Sequence, residues 1–472
     1  RRCPRGRPCG GRPVDSVPVT TPPGASPIAM RFRVPAPGLL ALPWAAPLES
    51  WPESGVAFLP LPVGESRHIV RFVAVEGIVY AVKELPLRPG RSEYTVMEAL
   101  EARGAPAVRV AGIVERPADD VALIVTVYLT RSLQLRRLFR RLPEAARRHR
   151  ERLLDAMATL LVELHRNGVY WGDCSLANTL LLRDGQELRA HLVDAETSEV
   201  HERLSPGQRS LDVDVAVDNV AGDLVDLALA EGRTLDEADD DLAAALSLRE
   251  RYERLWAELH RSEPVRPDER FRIEARLRRL NALGFVVREV RLEPGDGGAV
   301  PRLRVAVGDR RFHAERVLRL TGLEAGEGQA TVLLNDIAAW TGLSRPEDPG
   351  PLAEGGVETD PLGPLHRAAQ RWLREEFLPT VERLRAALGP EIEPVQAYCD
   401  LTEVRWLLSE EAGRDVGDDL AIRRLAERRV PSGSAAGMAI AEEEPFLLGP
   451  TGEILLPAGS PNGGAAKDLP PA

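Results

Sequence analysis

A chain of 472 residues with 44% hydrophobic content is long enough for two or three domains, each with its own buried core. Its formal charge of -11 argues against a general nucleic-acid binder, which must present a basic face to phosphates. No apolar run reaches the length of about eighteen residues that a membrane-spanning helix needs, and the start lacks the charged-then-apolar order of a secretory leader, so the expected compartment is the cytoplasm.

Residues 1–29 are rich in Arg, Pro and Gly, lack periodicity and are expected to be disordered. The first methionine is Met30, which suggests a natural start there, with residues 1–30 as an extension. Trp44 and Trp51 lie among prolines and suggest an extended strap over residues 31–55 that packs on the domain C-terminal to it. From Arg67 to Leu85, two β-rich runs flank Glu76-Gly77 and predict an antiparallel hairpin that carries Lys83. Ser92 to Ala102 predicts a helix with Tyr94, Met97 and Leu100 on one face, ending near Gly104. Val121 to Leu129 reads as a strand, and Ser132 as the cap of a basic helix through Arg141. Arg150 to Arg166 is strongly amphipathic, with Leu153, Leu154, Met157, Leu160, Leu161 and Leu164 at helical spacing. His165 at its end is expected to be structural.

The most informative stretch is Tyr170-Trp171-Gly172-Asp173-Cys174-Ser175-Leu176-Ala177-Asn178, then a short apolar strand, then His191-Leu192-Val193-Asp194. Phosphoryl transfer from a nucleotide requires a group that orients the attacking hydroxyl and oxygen ligands for magnesium. Asp173 suits the first task, and Asn178 with Asp194 the second, since hard oxygens match that ion. Among 61 basic residues only two are lysines, Lys83 and Lys467. A compact ammonium reaches between phosphate oxygens where a planar guanidinium does not fit, which singles out Lys83.

Ala81-Val82-Lys83, Gly172-Asp173 with Asn178, and Asp194 closing a later strand resemble the protein-kinase-like fold, in the branch of bacterial lipopolysaccharide kinases and small-molecule kinases. The resemblance spans about residues 56–230. It implies that the hairpin forms the second and third strands of a small lobe and that Lys83 projects into a nucleotide cleft. It also implies an acid on the following helix that holds Lys83; Glu93 fits that role better than Glu98. Val63-Gly64-Glu65-Ser66 would be a reduced phosphate-covering loop, and the residues after the Val121 strand a hinge contacting adenine through main chain. Ser175 stands where protein kinases carry a lysine, which matches the small-molecule branch. Ala195-Glu196 replaces Phe-Gly after Asp194, with Glu196 either a further metal-side acid or a surface acid. Of Asp214, Asp218, Asp223 and Asp226, one is expected to brace the catalytic loop.

Beyond Glu231 helices are expected over Leu242–Leu259, with Trp256 on the apolar face, and Arg270–Leu283, stopped by Gly284. Phe285–Leu292 and Arg302–Val307 read as paired strands around Gly295-Asp296-Gly297-Gly298. Further helices are expected around Ala314–Leu320, Gln329–Thr341, Leu365–Leu388 and Pro394–Glu411. Arg319-Leu320-Thr321-Gly322-Leu323, Leu334-Asn335-Asp336 and Arg405-Trp406-Leu407-Leu408-Ser409-Glu410 resemble an uncharacterised domain found behind lipopolysaccharide-kinase-like domains, over roughly residues 250–430, which implies no known activity. His313 and His366 read as helix-surface residues. Cys3, Cys9, Cys174 and Cys399 lack the spacing of a metal site or disulfide framework and read as reduced thiols. Residues 432–472 are rich in Gly, Pro and Ala and are expected to be disordered.

The expected fold class is α+β: a bilobal protein-kinase-like domain at 31–235, then a mostly helical α+β domain at 236–431. The expected function is ATP-dependent, magnesium-assisted phosphotransfer to a hydroxyl of a sugar, glycolipid or other small acceptor, with a possible protein partner on the C-terminal domain. The alternative is a pseudokinase-like nucleotide-binding or protein-interaction module without catalysis. An interaction protein with no nucleotide site would place Lys83 and Asp194 far apart.

Overall fold

The computed structural model describes residues 28–33, 36–61, 67–141, 147–234, 239–266, 269–293, 301–341, 363–431, 434–437, 447–448 and 454–455. Residues 1–27, the Val63-Gly64-Glu65-Ser66 loop and the Gly295-Asp296-Gly297-Gly298 turn lie outside them. The fold class is α+β, and the chain divides into two units: residues 1–130 with 194–200, and residues 131–193 with 201–472.

In the first unit, β1 (Ala29–Phe32), the short helix α1 (Pro37–Leu40), β2 (Ile69–Val75), β3 (Ile78–Pro86), α2 (Leu87–Ala102), β4 (Val110–Arg116) and β5 (Val121–Val127) build an antiparallel sheet of order β1-β4-β5-β3-β2. The β2–β3 hairpin turns at Glu76 and Gly77, both with positive φ (52° and 80°). That is the twist-matched two-residue turn, and Gly at its second position carries no Cβ penalty. Register pairs Val75 with Ile78 and Val70 with Lys83.

Alternation along β3 sends Tyr80, Val82 and Glu84 to one face and Ala81, Lys83 and Leu85 to the other. The first face carries Trp44 and Trp51, which meet edge-on at 4.9 Å and are buried with Leu39, Leu48 and Val125. The strap of residues 31–55 therefore packs as expected, but it is not extended. It begins in β1 and contains α1 and a 3-10 turn at Leu48–Ser54, because helical turns bring both indoles onto the sheet where an extended strand would alternate them. Ile28 and Ala29, included in the expected disorder, are ordered here, and Met30 lies within β1 opposite Val114. The second face carries α2, with Tyr94, Met97 and Leu100 buried. This helix starts five residues before Ser92, since Pro89 falls in the first turn, where its missing N–H leaves nothing unpaired.

In the second unit, β6 (Leu133–Gln134) and α3 (Leu135–Arg141) precede the long α4 (Arg147–Arg166), followed by β7 (Val169–Tyr170), β8 (Thr179–Asp184) and β9 (Glu187–Leu192). Ser132 precedes a strand instead of capping a helix: Leu133 and Gln134 pair with Leu181 and Leu180. After β10 (Glu199–Val200), a segment of the first unit, come α5 (Pro206–Ala230) and α6 (Asp239–His260), with α6 packed on both α4 and α5. Ser205 and Gln208 form a reciprocal capping box that starts α5.

The C-terminal part has β11 (Glu263–Pro264), α7 (Arg270–Ala282), β12 (Phe285–Glu293) and β13 (Arg302–Arg310), with β13 central in a three-stranded sheet. The helices α8 (Phe312–Thr321), α9 (Glu327–Thr341), α10 (Pro364–Trp372), α11 (Leu378–Leu388), α12 (Pro394–Ala412) and α13 (Gly417–Ala426) complete it. The expected helix Leu365–Leu388 runs through a π turn at Leu373–Phe377. Pro379 explains the offset, as it donates no N–H and its ring crowds the carbonyl four residues back. Trp372, Phe377, Tyr398 and Leu333 centre the apolar core here.

Two further expectations are corrected. Residues 434–437 fall within the segment expected to be disordered, yet Ser434 and Ala435 are fully buried, with Ala435 N donating to Glu403 at 2.7 Å and His149 meeting the Ser434 carbonyl at 3.0 Å. His313 is buried, not surface, and its Nδ1 lies 2.6 Å from Glu327. No helix among the described residues is long and apolar enough to cross a membrane.

Trp51→Ala empties a fully buried site against Trp44. The substitution is expected to lower stability by about 3–5 kcal/mol, read from the midpoint of urea unfolding followed by circular dichroism.

Candidate active site

Lys83 leaves β3 on the face that α2 covers. Its ammonium donates to both oxygens of Glu93, at 3.2 and 3.0 Å, and to Asp194 Oδ2 at 2.8 Å. The Glu93 side chain is 2% exposed, Lys83 14% and Asp194 29%, so the charge pair opens outward from the buried glutamate. Glu98, the competing acid, turns instead toward Arg31 and Arg33, each at 3.7 Å. Burial pulls the Lys83 ammonium down, but the Glu93 and Asp194 carboxylates outweigh it and hold its pKa above the ordinary value. Burial pushes the Glu93 carboxyl up to about 7 against the pull of Lys83.

Asp194 also accepts the Glu196 backbone N–H on Oδ1 at 3.0 Å. A carboxylate oxygen accepts at more than one position, so these contacts are compatible with a cation-ligand role. The Glu196 side chain lies 2.9 Å from His68 Nε2. It is neither a bare surface acid nor free of a protein partner.

The second unit holds the loop. α4 delivers the chain to β7, after which Asp212 of α5 fastens the backbone: its Oδ2 accepts Trp171 N at 2.7 Å and its Oδ1 accepts Gly172 N at 2.8 Å. His165 Nε2 lies 2.9 Å from the same carboxylate, and its Nδ1 lies 2.7 Å from the Tyr252 hydroxyl. His165 is therefore a buried brace, as its position at a helix end suggested. Asp223 supplies a second fastening, accepting Leu176 N at 2.9 Å and pairing with Arg136. It is the bracing member of the four acids, while Asp214, Asp218 and Asp226 are exposed.

Within this frame Asn178 Nδ2 donates to Asp173 Oδ2 at 2.9 Å and to the Asp173 carbonyl at 3.1 Å. Asn219 Nδ2, from α5, donates to Asp173 Oδ1 at 3.1 Å. Both carboxylate oxygens are oriented by amides, and a carboxylate so held can still accept a proton. Spending the Asn178 amide N–H groups on Asp173 turns Oδ1 of that amide away from it. An amide oxygen of this kind is a hard donor that suits magnesium. Among the described residues no group of three or more His, Cys, Asp or Glu side chains could hold a metal ion. Cys174, in the middle of the loop, is fully buried, and burial with the nearby Asp212 and Asp173 raises its thiol well above the ordinary value, so it is no nucleophile at neutral pH.

The structure thus brings Lys83, Glu93 and Asp194 together in one unit, and Asp173 and Asn178 together in the other. Asp212 and Asn219 were missed by sequence reasoning. Asp212 lies at the edge of the acidic helix the pattern did flag, but only its contacts separate it from its neighbours. For Asn219 no local signal exists.

Residues 79–213 match the family model described as lipopolysaccharide kinase (Kdo/WaaP) family. Residues 254–430 match a domain of unknown function (DUF4032). Among solved structures, one described as WaaP in complex with acyl carrier protein is similar at 22% identity, covering 48% of this chain and 99% of that chain with a TM-score of 0.30. No protein of curated function matches.

Because the Glu93 carboxyl is raised from 4.5 to about 7, it favours the folded state fully below its unfolded value, and that contribution disappears as pH rises through about 7. A carboxyl-carbon NMR titration is expected to place its midpoint near 7. Glu93→Gln is expected to remove a loss of stability on the order of 3 kcal/mol between pH 4.5 and 7, seen as a flatter urea-midpoint curve; a Glu93 midpoint near 4.5 contradicts this.

Proposed function

We propose that the chain is an ATP-dependent phosphotransferase that delivers the terminal phosphoryl group to a hydroxyl of a sugar, glycolipid or other small acceptor. The observation that carries this reading is the Lys83 ammonium held by Glu93 and Asp194 on the exposed side of a buried carboxylate. The match of residues 79–213 to a kinase family supports it from an independent direction.

In this reading Lys83 offers its positive charge to phosphate oxygens, and Glu93 fixes the long side chain so that little rotamer freedom is lost on binding. Asp173 orients the acceptor hydroxyl, and its carboxylate receives the hydroxyl proton as the oxygen attacks the terminal phosphorus and the bond to the bridging oxygen of the diphosphate breaks. Asn178 and Asn219 hold that carboxylate from both sides. Asn178 and Asp194 would hold magnesium, which when bound supplies charge neutralisation among the phosphate oxygens. Ser175, in place of a lysine, has its hydroxyl engaged by the Asn178 N–H at 3.2 Å. That is compatible with an acceptor other than a protein side chain.

One observation favours the second reading, a pseudokinase-like nucleotide-binding or protein-interaction module. Glu196 is engaged by His68 at 2.9 Å, which removes a candidate metal-side acid. The separation of Lys83 from Asp194 that an interaction protein without a nucleotide site requires is contradicted by their 2.8 Å contact.

Asp173→Asn is expected to lower phosphoryl transfer from ATP by about 10²–10⁴-fold while nucleotide-induced thermal stabilisation with magnesium stays within the wild-type range. Equal turnover by the two proteins would sink the catalytic assignment, and wild-type stabilisation without any turnover would select the second reading.

A further inference from the structure

We infer that the C-terminal α+β domain is a positioning element of the phosphotransfer site, clamping the tip of the β8–β9 hairpin whose open end presents Asn178 and leads into Asp194. This rests on the reading of those two residues as the magnesium ligands.

The hairpin pairs Thr179 with Leu192 at one end and Asp184 with Glu187 at the other. At the open end Val193 N donates to the Asn178 carbonyl at 3.2 Å, and Asp194 is the next residue in the chain. Six residues per strand separate that end from the tip by about 17 Å. A short rigid lever of this kind transmits the placement of its tip to its base.

The tip is gripped through matched polar groups. Gly185 N donates to Gln396 Oε1 at 3.0 Å, and Gln396 Nε2 returns a bond to the Gly185 carbonyl at 2.9 Å. Gln329 N donates to Asp184 Oδ1 at 2.9 Å. Arg183 meets both oxygens of Asp400, at 2.8 and 2.7 Å. Arg310 pairs with Glu187 at 2.5 Å. The approach is closer than side chains permit: a Cβ at Gly326 or Gly328 would overlap Asp184.

The gripping groups are themselves tied to one body. Gln329 Nε2 donates to Gln396 Oε1 at 3.0 Å, and Gln396 Nε2 also donates to Asp400 Oδ1 at 2.9 Å. Gln329 and Gln396 belong to α9 and α12, whose apolar residues share one core. A joint that served only to bury surface would be apolar. This one sets Asp184, 4% exposed and raised by burial, against the backbone N–H groups of Gln329 and Gly328, although its Oδ2 has no hydrogen-bond partner among the described residues, and buried polar groups paired in this way hold only in one register.

The test uses the full chain, with Gln396→Ala as the first variant and Arg183→Ala, at the half-buried rim of the joint, as the second should the first fail to fold. Mn²⁺ standing in for magnesium is titrated into protein saturated with a non-hydrolysable ATP analogue and followed by electron paramagnetic resonance. Amide hydrogen exchange of residues 180–191 is measured alongside. Outer-shell support of a metal ligand is typically worth about 10–100-fold in affinity; one layer further out, a loss of roughly fivefold is expected, together with faster exchange along the hairpin. Wild-type Mn²⁺ binding with unchanged affinity in a folded variant overturns the positioning role alone and leaves a plain domain joint. Absence of Mn²⁺–nucleotide binding by the wild type overturns the proposed function and this inference with it.

Discussion

One ammonium between two carboxylates sets what the first unit can do. Glu93 is almost wholly buried, and a lone carboxylate there would be neutral near pH 7. Lys83 gives it a partner, but the pair is lopsided: the lysine and Asp194 lie nearer solvent. Burial, with Asp194 and Glu196 nearby, raises Glu93, while Glu93 and Asp194 raise Lys83 against the pull of its own burial. The result is a cation that stays charged at any physiological pH and whose side chain is already ordered. In a chain that otherwise uses Arg almost throughout, this is the position where the proposed phosphate contact calls for a flexible stem and a compact charge that a guanidinium does not match.

The second unit solves a different problem, which is how to hold a loop with no regular hydrogen bonding of its own. Asp212 does this from beneath, taking two consecutive backbone N–H groups and a histidine into one fully buried carboxylate. Removing that carboxylate would leave several buried donors unpaired at once, and such networks count for more than their separate bonds. Asp223 fastens the loop four residues on. Asp173 and Asn178 then hold each other, with Asn219 on the other carboxylate oxygen.

Much of this was legible in the sequence because the signals are local. Glu76-Gly77 between β-branched runs marks a hairpin, and period-2 alternation then decides which way Lys83 points. The helical spacing around Tyr94, Met97 and Leu100 places Glu93 on the face toward the sheet. Gly172-Asp173 and Asn178 lie five residues apart, within reach in any compact loop. The illegible part depends on distant partners. Trp44 and Trp51 could be seen to pack, but not that helical turns would carry them. Ser132 has the chemistry of a cap, yet Leu133 and Gln134 find Leu181 and Leu180 and become a strand. His313 looks solvent-facing until Glu327 is brought beside it by the α8–α9 turn. The buried turn at 434–437 lies in a stretch whose composition suggests disorder, and only His149 and Glu403 explain its burial. Asp212, Asn219 and the Gln396 grip on Gly185 are all tertiary contacts between residues forty or more positions apart, with no pattern in the chain to announce them.

The central claim is that Lys83 lies against the phosphates of a bound nucleotide, and the rarity of lysine allows a direct measurement. An acyl-phosphate derivative of ATP transfers its acyl group to an amine held beside the phosphates, and peptide mass spectrometry reports which lysine carries it. The account predicts acylation at Lys83, suppressed by excess ATP. Label confined to Lys467, or label on Lys83 that ATP does not suppress, would contradict it.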